Sequence, residues 1–128
     1  MQNDASPAVL YHLAENAVWQ AQLTEPVYTP TDFAREGFVH CSTAEQVPGT
    51  ARRFYAGRED MIRLTLDAQQ LEVVYENLEG GSTLFPHVYA PLPKAVIVQA
   101  ERLHIDADGQ ITVLESLSVP GADTNAAP

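Results

Sequence analysis

Apolar and polar residues alternate along several short segments of the chain, a pattern typical of half-buried β-strands. Residues 61–67 (MIRLTLD) alternate most regularly. The sequence predicts strands at residues 8–13, 38–41, 61–67, 71–76, 95–105 and 110–115, with a further extended and proline-punctuated segment at 87–93. Between the last two strands, Asp108-Gly109 predicts a β-hairpin turn, so these strands are expected to be antiparallel neighbours.

Two longer segments have apolar residues at helical spacing instead. The first predicted helix covers residues 15–23, is centred on Trp19 and is stopped by Pro26. The second follows Ser42 and is closed by Gly57; its apolar positions are Val47, Ala51, Phe54 and Tyr55. Between the two, residues 29–37 predict a single helical turn with a cap at Thr31 or Asp32 and an end at Gly37.

The start of the second helix carries a capping signature. Ser42 is followed three residues later by Glu45, which is the spacing of a capping box. The loop at residues 77–86 contains a pair of glycines, which favours mobility there. These elements together predict an α+β fold with six or seven strands and two short helices in the first half.

Length and composition are those of one water-soluble domain. The chain has 128 residues, of which 45% are hydrophobic and 19% charged. We expect the folded domain to cover residues 8–118, with flexible ends at 1–7 and 119–128 that are rich in small polar residues and proline. No glycine-rich turn links a strand to a helix, so neither a P-loop nor a Rossmann fingerprint is present.

The formal charge of −10 argues against nucleic acid as the main partner, because such binding depends on clustered Lys and Arg. Four of the seven basic residues nevertheless lie between positions 52 and 63, which leaves a local anion site open. A single cysteine, no signal-type N-terminal run and no apolar stretch of membrane-spanning length predict a cytoplasmic protein without a membrane association.

The segment GFVHCS, residues 37–42, brings histidine, cysteine and serine together. Because strand side chains alternate, Phe38 and His40 are expected on one face and Val39 and Cys41 on the other. A Cys–His nucleophile is therefore disfavoured, and Cys41 is interpreted as a small buried hydrophobe.

Three histidines, at positions 12, 40 and 87, lie near aromatic residues in predicted strands or extended segments. Any one of them is most simply a structural histidine bonded to a backbone carbonyl. Together they have the nitrogens of a catalytic zinc site, but their spacing is not that of a zinc motif, and we expect no metal. His104 is interpreted as a surface residue.

Several polar positions have both a structural and a functional interpretation. Ser42 is first of all a helix cap, and the same helix start also suits a phosphate. Arg52 and Arg53 either add charge to that region or pair with a surface glutamate such as Glu45 or Glu59. Glu76, at the end of a predicted strand and before the glycine pair, is the carboxylate singled out as a candidate for chemistry.

Several of these segments resemble one bacterial family, domain of unknown function 952. They are LYHLAENAVWQ, EGFVHCSTAEQVPGTARRFY, LTLDAQQL, VVYE and FPHVYAPLP, and the resemblance runs from about Val9 to Arg102. GFVHCS and FPHVYAPL are the most specific of the matching segments.

A more distant resemblance is to the NAD-using RNA 2′-phosphotransferases of the ADP-ribosyltransferase group. The matching positions, in order, are Leu10 to His12, Val39 to Ser42, Arg52 or Arg53, and Leu64 to Ala68. The resemblance implies an ADP-ribosyltransferase-like core with a small split antiparallel sheet. Leu13-Ala14 replaces the Gly-Thr of the phosphotransferase motif, which argues against phosphotransfer from RNA, as the charge does.

This resemblance implies a histidine-lined cleft for NAD, ADP-ribose or a related small nucleotide, with ADP-ribosyl transfer or hydrolysis as its chemistry. The expected catalytic residues are His40, His87 and Glu76, with Asp60 as the alternative carboxylate. The expected ligand-binding residues are His12, Ser42, Arg53 and Tyr89. His87 and Tyr89 have no counterpart in the phosphotransferases and would be this family's own contribution.

Other interpretations stay open at this stage. The same cleft in a catalytically inactive protein would make a nucleotide-binding or regulatory module. The remaining alternatives are a metal-dependent hydrolase that uses the three histidines and a domain that only mediates interactions. Whether the chain is an enzyme, and its oligomeric state, are not given by the sequence.

Overall fold

A computed structural model describes residues 7–120 and shows a small α+β fold. Within that range the strands are β1 (Val9–Glu15), β2 (Val27–Tyr28), β3 (Val39–His40), β4 (Met61–Asp67), β5 (Val74–Glu76), β6 (Phe85–Val88), β7 (Leu92–Pro93), β8 (Ile97–Ile105) and β9 (Ile111–Leu117). The helices are α1 (Asn16–Ala21), α2 (Phe33–Glu36) and α3 (Val47–Tyr55), with 3₁₀ turns at Ala68–Gln70 and Lys94–Val96.

Four antiparallel strands form the main sheet, in the order β1-β4-β8-β9. The alternation seen in the sequence gives this sheet two apolar faces. Leu10, opposite Leu66, lies on one face, while Leu13 and Met61 lie on the other. The expected antiparallel pairing of the last two strands is confirmed as β8 and β9, joined by a turn that contains Gly109.

Two smaller antiparallel sheets cover the first face of the main sheet. One has the order β3-β6-β5, and the other is the pair β2 and β7. The principal core lies between these layers and includes Leu10, Trp19, Tyr28, Val39, Ile62, Leu64, Val88, Leu92 and Ile97. The layers are also joined through the backbone, because Tyr11 and Ser42 exchange hydrogen bonds of 2.9 and 2.7 Å.

Helix α3 covers the opposite face of the main sheet. Its Ala51 is fully buried in a second apolar cluster with Leu13, Met61, Leu103 and Ile105. The apolar spacing predicted for this helix is therefore the spacing that packs it against the sheet.

None of the helices described within residues 7–120 combines the length and the apolar character needed to cross a membrane.

The predicted cap of α3 is wrong by one residue. The backbone N–H of Gln46 donates to Thr43 Oγ1 at 3.3 Å, and Thr43 N–H donates to Gln46 Oε1 at 3.1 Å. This is the reciprocal pair of a capping box, but Ser42 and Glu45 do not form it. Ser42 is still paired with Tyr11 as extended backbone, so the turn into the helix starts after it.

Other boundaries differ from the sequence-based expectation for similar reasons. The predicted helix at 15–23 is shortened to α1 because Glu15 still pairs with Met61 in the main sheet. The predicted strand at 71–76 is shortened to β5, after a 3₁₀ turn. More strands are present than expected because the two-residue β2 was not predicted and because the single extended segment expected at 87–93 is divided between β6 and β7. The expected flexible ends at 1–7 and 119–128 lie, except for residues 7, 119 and 120, outside the described residues.

Candidate functional site

The outer surface of the three-stranded sheet carries a cluster of aromatic and ionisable side chains. His40 on β3 lies directly opposite His87 on β6, so their side chains share one face of this sheet. Phe38 and Tyr89 lie two residues away along their chains, and the period of two puts them on the same face. Glu76 reaches this face from β5. We call the surface formed by Phe38, His40, Glu76, His87 and Tyr89 the histidine face.

The rings of the histidine face are in direct contact. Phe38 stacks on His87 with ring centroids 4.1 Å apart, and the two histidine rings meet edge to face at 5.2 Å. Phe38 and His87 are buried, whereas the side chain of His40 is 56% exposed and Tyr89 is 50% exposed. The surface therefore has a buried aromatic centre and two accessible rings at its edge.

Glu76 is hydrogen-bonded both to His87 on β6 and to Tyr89 just after that strand. Its Oε2 accepts a hydrogen bond from His87 Nδ1–H at 2.8 Å and another from the hydroxyl of Tyr89. The Tyr89 hydroxyl, followed by His87, lowers the pKa of Glu76, and Glu76 raises the pKa of Tyr89 in turn. Glu76 is therefore a fixed negative charge at neutral pH.

A second glutamate holds His40. His40 Nε2–H donates to Glu36 Oε1 at 2.7 Å. Glu36 is the last residue of α2, and Gly37 after it adopts the left-handed conformation (φ 80°) that ends the helix and returns the chain into β3. The predicted end of this turn at Gly37 is confirmed, and it is this turn that brings Glu36 beside His40.

The two glutamates determine which nitrogen of each ring is basic. An ionised carboxylate only accepts hydrogen bonds, so a neutral His40 carries its proton on Nε2 and a neutral His87 carries it on Nδ1. The remaining nitrogens, Nδ1 of His40 and Nε2 of His87, are then proton acceptors. Such a pair of oriented imidazoles is suited to general acid–base work.

The side chain of His12 lies behind the histidine face rather than on it. Its Nδ1–H donates to the backbone carbonyl of His40 at 2.6 Å, and its ring lies 5.8 Å from that of Tyr28 in the interior. Burial lowers the pKa of His12 to about 4, so the ring is neutral at physiological pH. His12 thus has the structural bond that was considered for a single histidine, and it ties β1 to β3.

Two other predicted ligand-binding residues contact different partners. The buried hydroxyl of Ser42 lies 3.1 Å from that of Thr50 on α3. Arg53 pairs with Glu79 at 3.3 Å, in the loop after β5. Asp60, the alternative carboxylate, is bound at 2.7 Å by Arg58, which lowers the pKa of Asp60. Of the seven residues expected in the site, the structure gathers four on one surface: His40, Glu76, His87 and Tyr89.

Cys41 points to the opposite side of the sheet from His40, as the alternation predicts. It is buried, and burial raises the pKa of its thiol to about 12. In the part of the chain that the structure describes, no group of three or more His, Cys, Asp or Glu side chains is arranged to hold a metal ion.

Glu36 is the residue of this site that sequence reasoning missed. It stands four positions before His40, but that spacing indicates contact only inside a helix, and a glycine and a strand follow Glu36. A left-handed glycine that reverses the chain was the available signal. Phe38 was placed on the same face as His40 from the sequence, but its stacking on His87 needed the pairing of β3 with β6.

Residues 13–100 match a protein family described as a protein of unknown function, DUF952, and the chain belongs to that family. The structure is similar to the crystal structure of protein CC0527 from Caulobacter crescentus, with 27% identity, a TM-score of 0.71, and coverage of 81% of this chain and 93% of that chain. The solution structure of CC0527 matches with 28% identity and a TM-score of 0.70 over 80% of this chain and 90% of that chain. No curated protein matches the chain significantly.

Proposed function

We propose that the histidine face binds NAD, ADP-ribose or a closely related nucleotide and catalyses hydrolysis or transfer of the ADP-ribosyl group. The observation that carries this proposal is the ionised carboxylate of Glu76, held by Tyr89 and His87, whose rings both contact Phe38. Cleavage at the nicotinamide ribose builds positive charge on the sugar, and a fixed carboxylate stabilises that charge. Aromatic rings next to the carboxylate suit the nicotinamide and adenine rings.

The proposed hydrolysis or transfer needs only the bound nucleotide, a nucleophile and a proton acceptor on the protein. The bond between ribose C1′ and the nicotinamide nitrogen breaks, and nicotinamide leaves with the bonding electron pair as a neutral ring. A water oxygen, or the nucleophile of an acceptor, forms the new bond to C1′. The proton lost by that nucleophile goes to Nδ1 of His40, which Glu36 leaves as the basic nitrogen, and from there to solvent.

The other three residues expected in the site, His12, Ser42 and Arg53, lie outside the histidine face. His12 fixes the backbone of His40 through its carbonyl, so it acts on the position of that residue. Ser42 and Arg53 remain expected ligand contacts from the resemblance alone, and the proposal does not depend on them.

The test combines binding and turnover. We expect calorimetric titration with NAD and with ADP-ribose to show saturable binding that His40→Ala weakens by tenfold or more. Glu76→Gln should keep binding within about threefold and lower nicotinamide release, measured by chromatography, by about a hundredfold, the range seen when one electrostatic stabiliser is removed. Tyr89→Phe, which keeps the carboxylate but loses one of its donors, should fall between wild type and Glu76→Gln.

Two outcomes would change the conclusion. Binding without nicotinamide release in the wild-type protein would support the nucleotide-binding module instead of the enzyme. Folded wild-type protein that gives no heat with either ligand would rule out the nucleotide at this face.

A further inference from the structure

A groove of about 390 Å³ lies between the start of helix α3 and the outer strands of the main sheet. Tyr11, Arg63 and Arg52 line it together with apolar residues that include Val47, Ile111 and Val113. None of its lining residues belongs to the histidine face. Tyr11 lies next to His12 on β1, and because strand side chains alternate, the two point to opposite faces of the main sheet.

One arginine of this groove, Arg52, forms no ion pair with a carboxylate of the described residues. Arg53, Arg58 and Arg63, the other arginines between positions 52 and 63, each pair with a carboxylate of the described chain. Arg52 forms no such pair within residues 7–120, and its Nε–H donates only to the backbone carbonyl of Asp108 at 3.4 Å. In a chain of net charge −10, a cation left without a carboxylate beside a groove is an available anion site.

The second arginine of the groove, Arg63, has its charge neutralised. Arg63 pairs with Glu101 at 2.9 Å, and its guanidinium lies over the ring of Tyr11 at 5.8 Å from the centroid. Glu101 therefore cancels the charge of Arg63 but leaves a planar surface. The groove therefore combines apolar and aromatic lining residues with one arginine, Arg52, that has no carboxylate partner among the described residues.

We propose that this groove is a second binding site, for a small anion with a flat apolar body, either an aromatic carboxylate or an aromatic phosphate. The apolar part would lie on Tyr11 between Val47 and Val113, and the anionic group would bind the guanidinium of Arg52. An Arg–carboxylate or Arg–phosphate contact is charge-assisted and has a fixed geometry, which gives the site its preference for an anion.

The test uses four probes: phenyl phosphate, benzoate, inorganic phosphate and phenol. Each is titrated into ¹⁵N-labelled wild-type protein while the amide signals of residues 44–52 and 109–113 are followed. We expect phenyl phosphate or benzoate to shift these signals saturably, with an affinity at least tenfold above that of phenol and of inorganic phosphate. Whichever of the two binds more tightly identifies the anionic group.

Three variants make the test specific. Arg52→Gln keeps the first carbons of the side chain and should weaken binding at least tenfold. Arg102→Gln makes the same change in charge at a position that pairs with Ile62, on the other face of the sheet, and should leave the affinity unchanged. His40→Ala should also bind normally, which separates this site from the histidine face.

The proposal is overturned by any of three results. The first is the absence of saturable shifts with both aromatic anions. The second is an affinity for phenol equal to that for the anions, because then the charge has no part in binding. The third is undiminished binding by Arg52→Gln.

Discussion

His12 and His40 both lie in strands next to the same core, yet their surroundings give them opposite properties. His40 reaches solvent and is held by a carboxylate, whereas His12 is 7% exposed and donates to a carbonyl. Burial removes the water that would solvate a charged ring, and this effect outweighs the bond to the His40 carbonyl, which favours the protonated form; the pKa of His12 is therefore lowered to about 4. His12 therefore makes the stability of the folded protein sensitive to acid.

We expect the free energy of unfolding to fall between pH 6.5 and pH 4 because of His12. In this window the unfolded chain protonates His12, whose ordinary pKa is 6.5, while the folded protein does not. Stability that is complete above pH 6.5 is thus lost as the pH falls, by on the order of 3 kcal/mol at pH 4. Urea unfolding curves at pH 7 and pH 4.5 measure the difference.

His12→Gln provides the comparison, since an amide can donate to the same carbonyl and does not titrate. This variant should lose clearly less stability than wild type between the two pH values. His104→Gln, a change at the partly exposed histidine near Glu59, should behave like wild type. Equal losses in wild type and His12→Gln would show that carboxylates, and not His12, cause the acid sensitivity.

The sequence predicted the orientation of site residues only where the alternation within a single strand determines it. The period of two placed Phe38 and His40 together and Cys41 on the opposite side. The contacts of His40 with Glu36 and of His87 with Glu76 depend on a chain reversal and on a pairing between strands, and no local pattern encodes either.

The burial of Lys94 could likewise not be predicted from a local sequence pattern. It is the only lysine of the chain, and its Nζ donates to the carbonyls of Gln22, Leu23 and Glu25 at 2.6, 3.2 and 2.9 Å. It is 1% exposed, and burial lowers its pKa. Because its acceptors are about 70 positions earlier in the sequence, no sequence pattern distinguishes this buried lysine from a solvated one.

Among the elements, the β8–β9 hairpin and helix α3 meet at one glycine. Gly109 has φ 86°, and a Cβ atom built on it would lie 2.6 Å from Cβ and 2.7 Å from Cα of Arg52. The sequence predicted this turn from Asp108-Gly109, because a tight hairpin turn needs a residue that adopts the left-handed conformation easily. The structure adds a second requirement, because the helix packs where a side chain would be.

Gly109→Ala should therefore destabilise the protein by more than the backbone conformation alone explains. A left-handed alanine costs about 1–2 kcal/mol, and overlap with the helix backbone should add about 1–3 kcal/mol, as overpacking does elsewhere. Thermal and urea unfolding of the variant measure the total.

Gly57→Ala is the matched control. Gly57 has nearly the same backbone angle, φ 84°, but a Cβ atom there would meet nothing within 4 Å. We expect this variant to show only the conformational part of the loss. Equal losses in the two variants would mean that α3 moves aside easily and that the close packing against the hairpin contributes little.

Boundaries of elements were predicted less well than their existence, and tertiary pairing is the reason. Glu15 and Ser42 each start a helix according to local pattern. Both are instead held in extended conformation by a partner strand, Glu15 by Met61 and Ser42 by Tyr11. A backbone that satisfies its hydrogen bonds in a sheet delays the helix until the pairing ends.

At the scale of the whole molecule, the histidine face depends on the core behind it. Val39 and Val88, on the inner side of the three-stranded sheet, pack in the same cluster as Ile62 and Leu64 of the main sheet. Neither sheet buries its apolar face without the other. The short strands β3, β5 and β6 would not form a stable sheet alone, so the surface that carries His40 and His87 exists only when the whole core is assembled.

This shared core predicts a single cooperative unfolding transition. Trp19 is the only tryptophan, is fully buried in the cluster between the layers, and reports on that cluster by fluorescence. Far-ultraviolet circular dichroism reports mainly on the strands. We expect the two probes to give the same urea midpoint and slope, because loss of the interlayer core removes the burial that keeps either sheet folded. A fluorescence transition at clearly lower urea than the dichroism transition would contradict this, since it would mean that the layer carrying the histidine face separates from an intact main sheet.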